Sequence, residues 1–166
     1  MQVEIRRART SDVRDIRALV DTYTADRRLL SKATVTLYES VQEFWVAVDP
    51  EDRVVGCGAL HVMWEDLAEI RTVAVDPAWR GHKIGHRLVA ELLEVARTLG
   101  VARVFCLTFE TRFFGSFGFT EIDGAPVPHG VYEQLLRSYD EGVAEFLDLE
   151  RVKPNTLGNK RMLLHL

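Results

Sequence analysis

Between Arg80 and Arg87 the chain reads Arg80-Gly81-His82-Lys83-Ile84-Gly85-His86-Arg87, with no acidic residue from Pro77 to Ala90 although the whole chain carries a formal net charge of -4. Clustered cations attract anions, and Gly81 and Gly85 let one approach the backbone closely. Ile84, Leu88, Leu92, Val95 and Leu99 then recur as one helical stripe, so the basic run opens a helix. The N–H groups of a first helical turn have no intrahelical partner, and the helix dipole adds positive charge beside them. The chemistry on offer is capture of a phosphate or diphosphate.

A second group precedes it. In the alternating run from Glu69 to Val75, strand periodicity puts Glu69, Arg71, Val73 and Val75 on one face. A carboxylate there can take a proton, and a guanidinium can grip a substrate carboxylate through two parallel bonds. The plainer account is a surface ion pair of little energetic weight. Further cations stand at Arg112, in Asn159-Lys160-Arg161 and in the loop Arg27-Arg28-Leu29-Leu30-Ser31-Lys32, where a solvated basic face is the ordinary alternative. Cys106 lies in an apolar run and reads as a buried thiol more readily than as an acyl acceptor. His61, His82 and His86 lack metal-ligand spacing, so no metal is expected.

The elements that must position these residues follow from periodicity and punctuation. Val3 to Arg7 reads as a strand, and Ser11 or Asp12 caps a helix carrying Val13, Ile16, Leu19, Val20 and Tyr23. Residues 25–33 read as a loop and Thr36 to Gln42 as a short helix. Phe44 to Val48 and Arg53 to Val62 form a hairpin, with Gly56 and Gly58 marking a bulge or a close backbone neighbour. Trp64 to Ala68 leads to the strand Glu69 to Val75. Gly100 stops the long helix, and Val101 to Thr108 is apolar enough for a strand buried on both faces. A short helix at Thr111 to Phe117, a strand at Phe119 to Ile122, a helical segment from Val131 to Leu149 broken near Gly142, and a last strand from Arg161 to Leu166 complete the chain. The fold expected is α/β (α+β), one mostly antiparallel sheet flanked by helices.

Size and composition agree. The 166 residues, 47% hydrophobic and 28% charged, fit a single globular domain, 1–166. No apolar run has membrane-spanning length and the N-terminus has no apolar leader, so neither membrane nor export is expected. Cys57 and Cys106 read as reduced core thiols, which suits the cytoplasm. An acidic chain is a poor partner for nucleic acid.

With these parts in place, the chain resembles the GCN5-related N-acetyltransferase (GNAT) family. The resemblance rests on Arg80-Gly81-His82-Lys83-Ile84-Gly85 after a strand and on Phe113-Phe114-Gly115-Ser116-Phe117-Gly118-Phe119 further on. Leu30-Ser31-Lys32, the strand from Glu69 to Val75, Leu107-Thr108 and the ending from Pro154 to Leu164 make it similar to short stand-alone amino-acid N-acetyltransferases that produce N-acetylglutamate.

The resemblance implies a GNAT fold whose neighbouring parallel strands, Glu69–Val75 and Val101–Thr108, splay apart. It implies acetyl-CoA as co-substrate, its pyrophosphate on Arg80, Gly81, His82, Lys83, Ile84, Gly85 and His86. Its pantetheine arm would lie along the backbone of Val73, Ala74 and Val75, with Phe114 near its end. It implies Glu69 as general base, and Lys32, Arg71, Arg112, Asn159, Lys160 and Arg161 as candidates for binding an amino-acid substrate. The expected reaction is direct acetylation of the α-amino group of glutamate, or glutamine, in arginine biosynthesis. Family habit implies a homodimer. The alternatives are another small amine or a protein N-terminus as acceptor, or an acyl-CoA sensor without catalysis.

Two departures keep the alternatives in view. Lys83 replaces a glycine of the motif, which costs about 1 kcal/mol or more if the position needs positive φ and adds a cation if it does not. Phe114 replaces a tyrosine that protonates the leaving thiolate in many members, and phenylalanine has no proton to give.

Overall fold

The computed structural model describes residues 2–24, 33–156 and 158–166, leaving aside the side chains at 155 and 156. Lys32 and the loop from Arg27 therefore lie outside the described residues. Seven strands form one sheet in the order β1-β2-β3-β4-β5-β7-β6. The chain divides into two compact units, Met1–His61 with Ile70–Ala96, and Val62–Glu69 with Arg97–Leu166.

In the first unit, β1 (Glu4–Arg7) pairs antiparallel with β2 (Phe44–Val48), which pairs antiparallel with β3 (Val54–Trp64). A turn of 3-10 helix at Thr10–Asp12 leads into α1 (Val13–Thr24), and α2 (Thr34–Glu39) follows. Asp12 does not cap α1. Its carboxylate accepts from the Arg9 amide at 2.7 Å and from Arg6 at 2.8 Å. Burial opposes its ionisation, but those bonds outweigh it and hold its carboxyl below the ordinary range.

Alternation along β2 divides this core. Phe44, Val46 and Val48 pack with Val13, Ile16, Leu19 and Val20 of α1, while Ala47 packs with Ile84 and Leu88 of α3 (Ile84–Leu99). Each fully buried Ile, Leu or Val contributes about 1.5–3 kcal/mol. Helix α3 ends at Gly100, whose φ of 87 suits the left-handed stop the sequence announced.

The second unit is built on β5 (Arg103–Thr108). A parallel ladder joins Leu67–Glu69 of β4 (Leu67–Val75) to Arg103–Phe105, and β7 (Lys160–His165) pairs antiparallel with the whole of β5. The parallel register ends at Glu69 and Phe105. β4 begins two residues before the expected Glu69 because a tight turn at Glu65–Asp66 closes the hairpin from β3.

Helix α4 (Thr111–Gly115) and β6 (Thr120–Glu121) precede α5 (His129–Leu135) and α6 (Glu141–Phe146), and α7 (Lys153–Thr156) precedes β7. The break expected near Gly142 falls earlier: Ser138 Oγ accepts from Asp140 N and Asp140 caps α6 through Val143 N, both at 3.1 Å. Gly142 lies inside α6. Met63, Leu67, Phe105, Leu135, Val143, Phe146, Leu147 and Leu163 form the core of this unit.

Candidate functional site

The loop after β4 is built by local bonds. Asp76 N donates to Val55 O at 2.8 Å, and its side chain accepts from Ala78 N at 2.9 Å, starting a 3-10 turn at Pro77–Trp79. Gly81 follows at φ 84, with nothing within 4 Å of where a Cβ would stand. Lys83 has φ 58, so the departure from glycine is made at a left-handed position and carries its cost, about 1–2 kcal/mol. Its carbonyl accepts from Arg87 N at 3.0 Å, which makes Lys83 the cap of α3.

The first turn of α3 contains no acidic residue. The amides of Ile84 and Gly85 therefore stand at a helix start with no intrahelical partner and no carboxylate of that turn beside them. Arg80, Gly81, His82, Lys83, His86 and Arg87 are exposed around them. His82 turns back on its own loop: its Nδ1 lies 3.0 Å from Trp79 O and 3.1 Å from Arg80 O, and its ring meets Trp79 at 5.1 Å. The imidazole thus braces the loop, and Arg80, Lys83 and Arg87 are its exposed cations.

The strand leading to this loop is not regular. Thr72 has φ 58, a rare conformation for a β-branched residue and one that costs about 1–3 kcal/mol. It is held in place: Thr72 is buried, and its carbonyl lies 3.4 Å from Cys57 Sγ. A left-handed residue inside a strand re-aims the chain as a bulge does. The left-handed Thr72 falls inside the run from Glu69 to Val75 that periodicity reads as one strand face, and burial still alternates from Arg71 to Val75. Beyond it, Val75 packs against the cluster of Ile84 and Leu88, and Ala74 against that of α1. The Tyr23 hydroxyl at the end of α1 donates to Val75 O. Helical spacing showed Tyr23 only as a core residue, so this contact with the expected cofactor strand was missed.

In the second unit Glu69 is buried, 3% exposed, rather than on the surface. It stands in register with Phe105 at the end of the parallel ladder. Cys106 lies close by: burial first, and then the charge of Glu69, push its thiol well above the ordinary value. Burial pushes Cys57 up to about 12. Neither is a nucleophile near neutral pH.

Phe114 is buried, with Phe113 at 5.1 Å and Phe119 at 5.4 Å against its ring edges. Arg112 on α4 and Lys160 at the start of β7 are exposed, while Arg71 and Asn159 are half-buried. Arg161 departs from expectation. Its Nε donates to Glu145 O at 3.0 Å, its Nη2 donates to Gly124 O at 2.7 Å and to Phe146 O, and its guanidinium lies over the Phe105 ring. These bonds make Arg161 a strut between β7 and the end of α6. The sequence showed a cation at a strand end and could not show which carbonyls would occupy it. Among the described residues no group of His, Cys, Asp and Glu is placed to hold a metal ion.

The Acetyltransferase (GNAT) family matches residues 12–119. The amino-acid acetyltransferase of Mycobacterium tuberculosis is 66% identical over 162 residues, 96% of this chain and 92% of its own length. A crystal structure of a Mycobacterium tuberculosis protein in complex with CoA and NLQ superposes with a TM-score of 0.94 at 65% identity, covering 98% of this chain and 99% of that one. N-acetylglutamate synthase from Neisseria gonorrhoeae, complexed with coenzyme A and N-acetyl-glutamate, shares the fold at a TM-score of 0.78 and 23% identity. The match covers 100% of this chain and 35% of that one. The chain belongs to the Acetyltransferase (GNAT) family and is an acetyltransferase with acetyl-CoA as its co-substrate.

Proposed function

We propose that the protein acetylates the α-amino group of L-glutamate, or alternatively of L-glutamine, at the first step of arginine biosynthesis. Identity of 66% to an amino-acid acetyltransferase over nearly the full length carries this reading. The uncharged-by-acid helix start at Lys83–Gly85 supports it chemically.

In this reading the diphosphate of acetyl-CoA rests on the amides of Ile84 and Gly85, with Arg80, Lys83 and Arg87 neutralising its charge. The pantetheine arm follows the backbone of Val73, Ala74 and Val75. The carbonyl of Val75 keeps a second lone pair beside the Tyr23 bond. Glu69 takes a proton from the ammonium, directly or through water, and the freed amine attacks the thioester carbonyl. The oxyanion is held by a backbone N–H of the strand that carries Val73, and collapse expels the thiolate. Phe114 cannot protonate that thiolate, so solvent or another side chain does, or the thiolate leaves unassisted. Lys32, Arg71, Arg112, Asn159 and Lys160 are the groups proposed to hold the carboxylates of the acceptor. A cytoplasmic homodimer is the proposed setting.

The test is CoA release from acetyl-CoA across a panel of amino acids, polyamines and N-terminal peptides. Turnover should be highest with glutamate or glutamine; turnover with polyamines alone contradicts the reading, as does cofactor binding with no acceptor at all. In the same assay Glu69→Gln should lower kcat by about 10²–10⁴-fold, as loss of a general base does. The loss should shrink at high pH, where the amine deprotonates unaided. An unchanged pH–rate profile removes Glu69 as the base.

A further inference from the structure

Gly56 lies in β3, where a glycine weakens a strand and packs nothing. Its φ is not in the left-handed region, since the positive-φ glycines are Gly81, Gly100, Gly118, Gly124 and Gly158. Conformation therefore does not demand glycine. Space does: a Cβ on Gly56 would stand 2.9 Å from Ile84 Cγ2, 3.0 Å from Leu88 Cδ1 and 3.4 Å from Ala47 Cβ.

The three contacts differ in how they can yield. Leu88 Cδ1 is the far end of a flexible side chain and can rotate away. Ile84 Cγ2 sits on the β-carbon, and a β-branched residue in a helix has one strongly preferred χ1. That methyl cannot swing aside, so the backbone of Ile84 must move. Ile84 is the first residue of α3, and its amide is one of the two at the helix start.

We propose that Gly56 is a positioning residue for the acetyl-CoA diphosphate: its missing side chain lets the first turn of α3 settle on β3, and so fixes the amides of Ile84 and Gly85. The proposal rests on the reading that those amides hold the diphosphate. Gly58 is the internal control. Its would-be Cβ presses only on Leu92 Cδ1, a flexible side-chain end two turns further along α3, at 3.1 Å; it meets Val73 Cγ2 on β4 at 3.4 Å, an ordinary contact distance that does not push the strand on which the pantetheine arm is proposed to lie.

The experiment measures acetyl-CoA dissociation constants, Michaelis constants for both substrates and melting temperatures for Gly56→Ala, Gly58→Ala and Arg80→Ala. Gly56→Ala should weaken acetyl-CoA binding by about 10-fold, since small displacements of positioning groups cost this much and more. The acceptor KM should stay unchanged. Gly58→Ala should alter the melting temperature and leave acetyl-CoA affinity within about 2-fold, an effect too small to reflect displaced donors. Adding Ile84→Ala to Gly56→Ala removes the opposing methyl and should restore acetyl-CoA affinity to that of Ile84→Ala alone.

Unchanged affinity in Gly56→Ala, equal losses in both glycine variants, or failure of the rescue overturns the proposal. Should Gly56→Ala not fold, the comparison of the double variant with Ile84→Ala decides alone, a persisting deficit of about 10-fold being contradictory. Arg80→Ala separates the two levels: if it keeps full affinity the diphosphate reading itself fails, whereas a loss there with none in Gly56→Ala rejects only the role of Gly56.

Discussion

Lys83 and Arg161 are both cations next to the start of a regular element, and they end in opposite states. Lys83 is exposed at the cap of α3, on a strained backbone with φ 58, and beside it the first helical turn presents amides without intrahelical partners. Arg161 is half-buried in β7, and three backbone carbonyls and a phenyl face already occupy its guanidinium. A ligand site needs donors that folding leaves unsatisfied. Where the fold itself supplies the acceptors, as it does for Arg161, positive charge serves cohesion instead.

Two substitutions can break that contrast. The larger effect belongs to Arg161→Met, which strips donors from three carbonyls around β7 and α6. Leaving such groups unsatisfied costs about 1–3 kcal/mol, or a melting temperature lower by roughly 2–4 °C per kcal/mol in a chain of this size. Acetyl-CoA KM should be unaffected. An unchanged melting temperature with a raised acceptor KM would return Arg161 to the substrate site and remove the contrast.

Lys83→Gly is the smaller test. It relieves a left-handed lysine and deletes one cation, so stability should stay level or rise by up to about 1 kcal/mol. Acetyl-CoA KM should rise by about 2–5-fold, the size expected from losing one exposed charge pair. A lower melting temperature with unchanged KM would mean that Lys83 is a structural residue like Arg161.

The same contrast explains how much could be read from the sequence. The basic loop was legible because its parts are local: two glycines, three cations and a helical stripe within twenty residues. Patterning places β2 at Phe44–Val48 and implies a mostly antiparallel sheet, while the parallel pair is what the GNAT resemblance implies. What stayed hidden depends on distant partners. Nothing near Arg161 announces the carbonyls of Gly124, Glu145 and Phe146, and nothing near Tyr23 announces Val75 O. Thr72 carries the opposite signal to its conformation, because β-branched residues favour regular strands; in the fold it is buried and its carbonyl meets Cys57 Sγ. Helix-breaker logic draws the break between α5 and α6 to Gly142, whereas Asp140, its amide bound to Ser138 Oγ, is the capping residue.

The most direct measurement is a crystal structure with acetyl-CoA or CoA bound. The account predicts the diphosphate within hydrogen-bond distance, about 2.7–3.2 Å, of the Ile84 and Gly85 amides, with Arg80, Lys83 or Arg87 against its oxygens. A diphosphate seated elsewhere on the chain, with those amides facing only solvent, would contradict it.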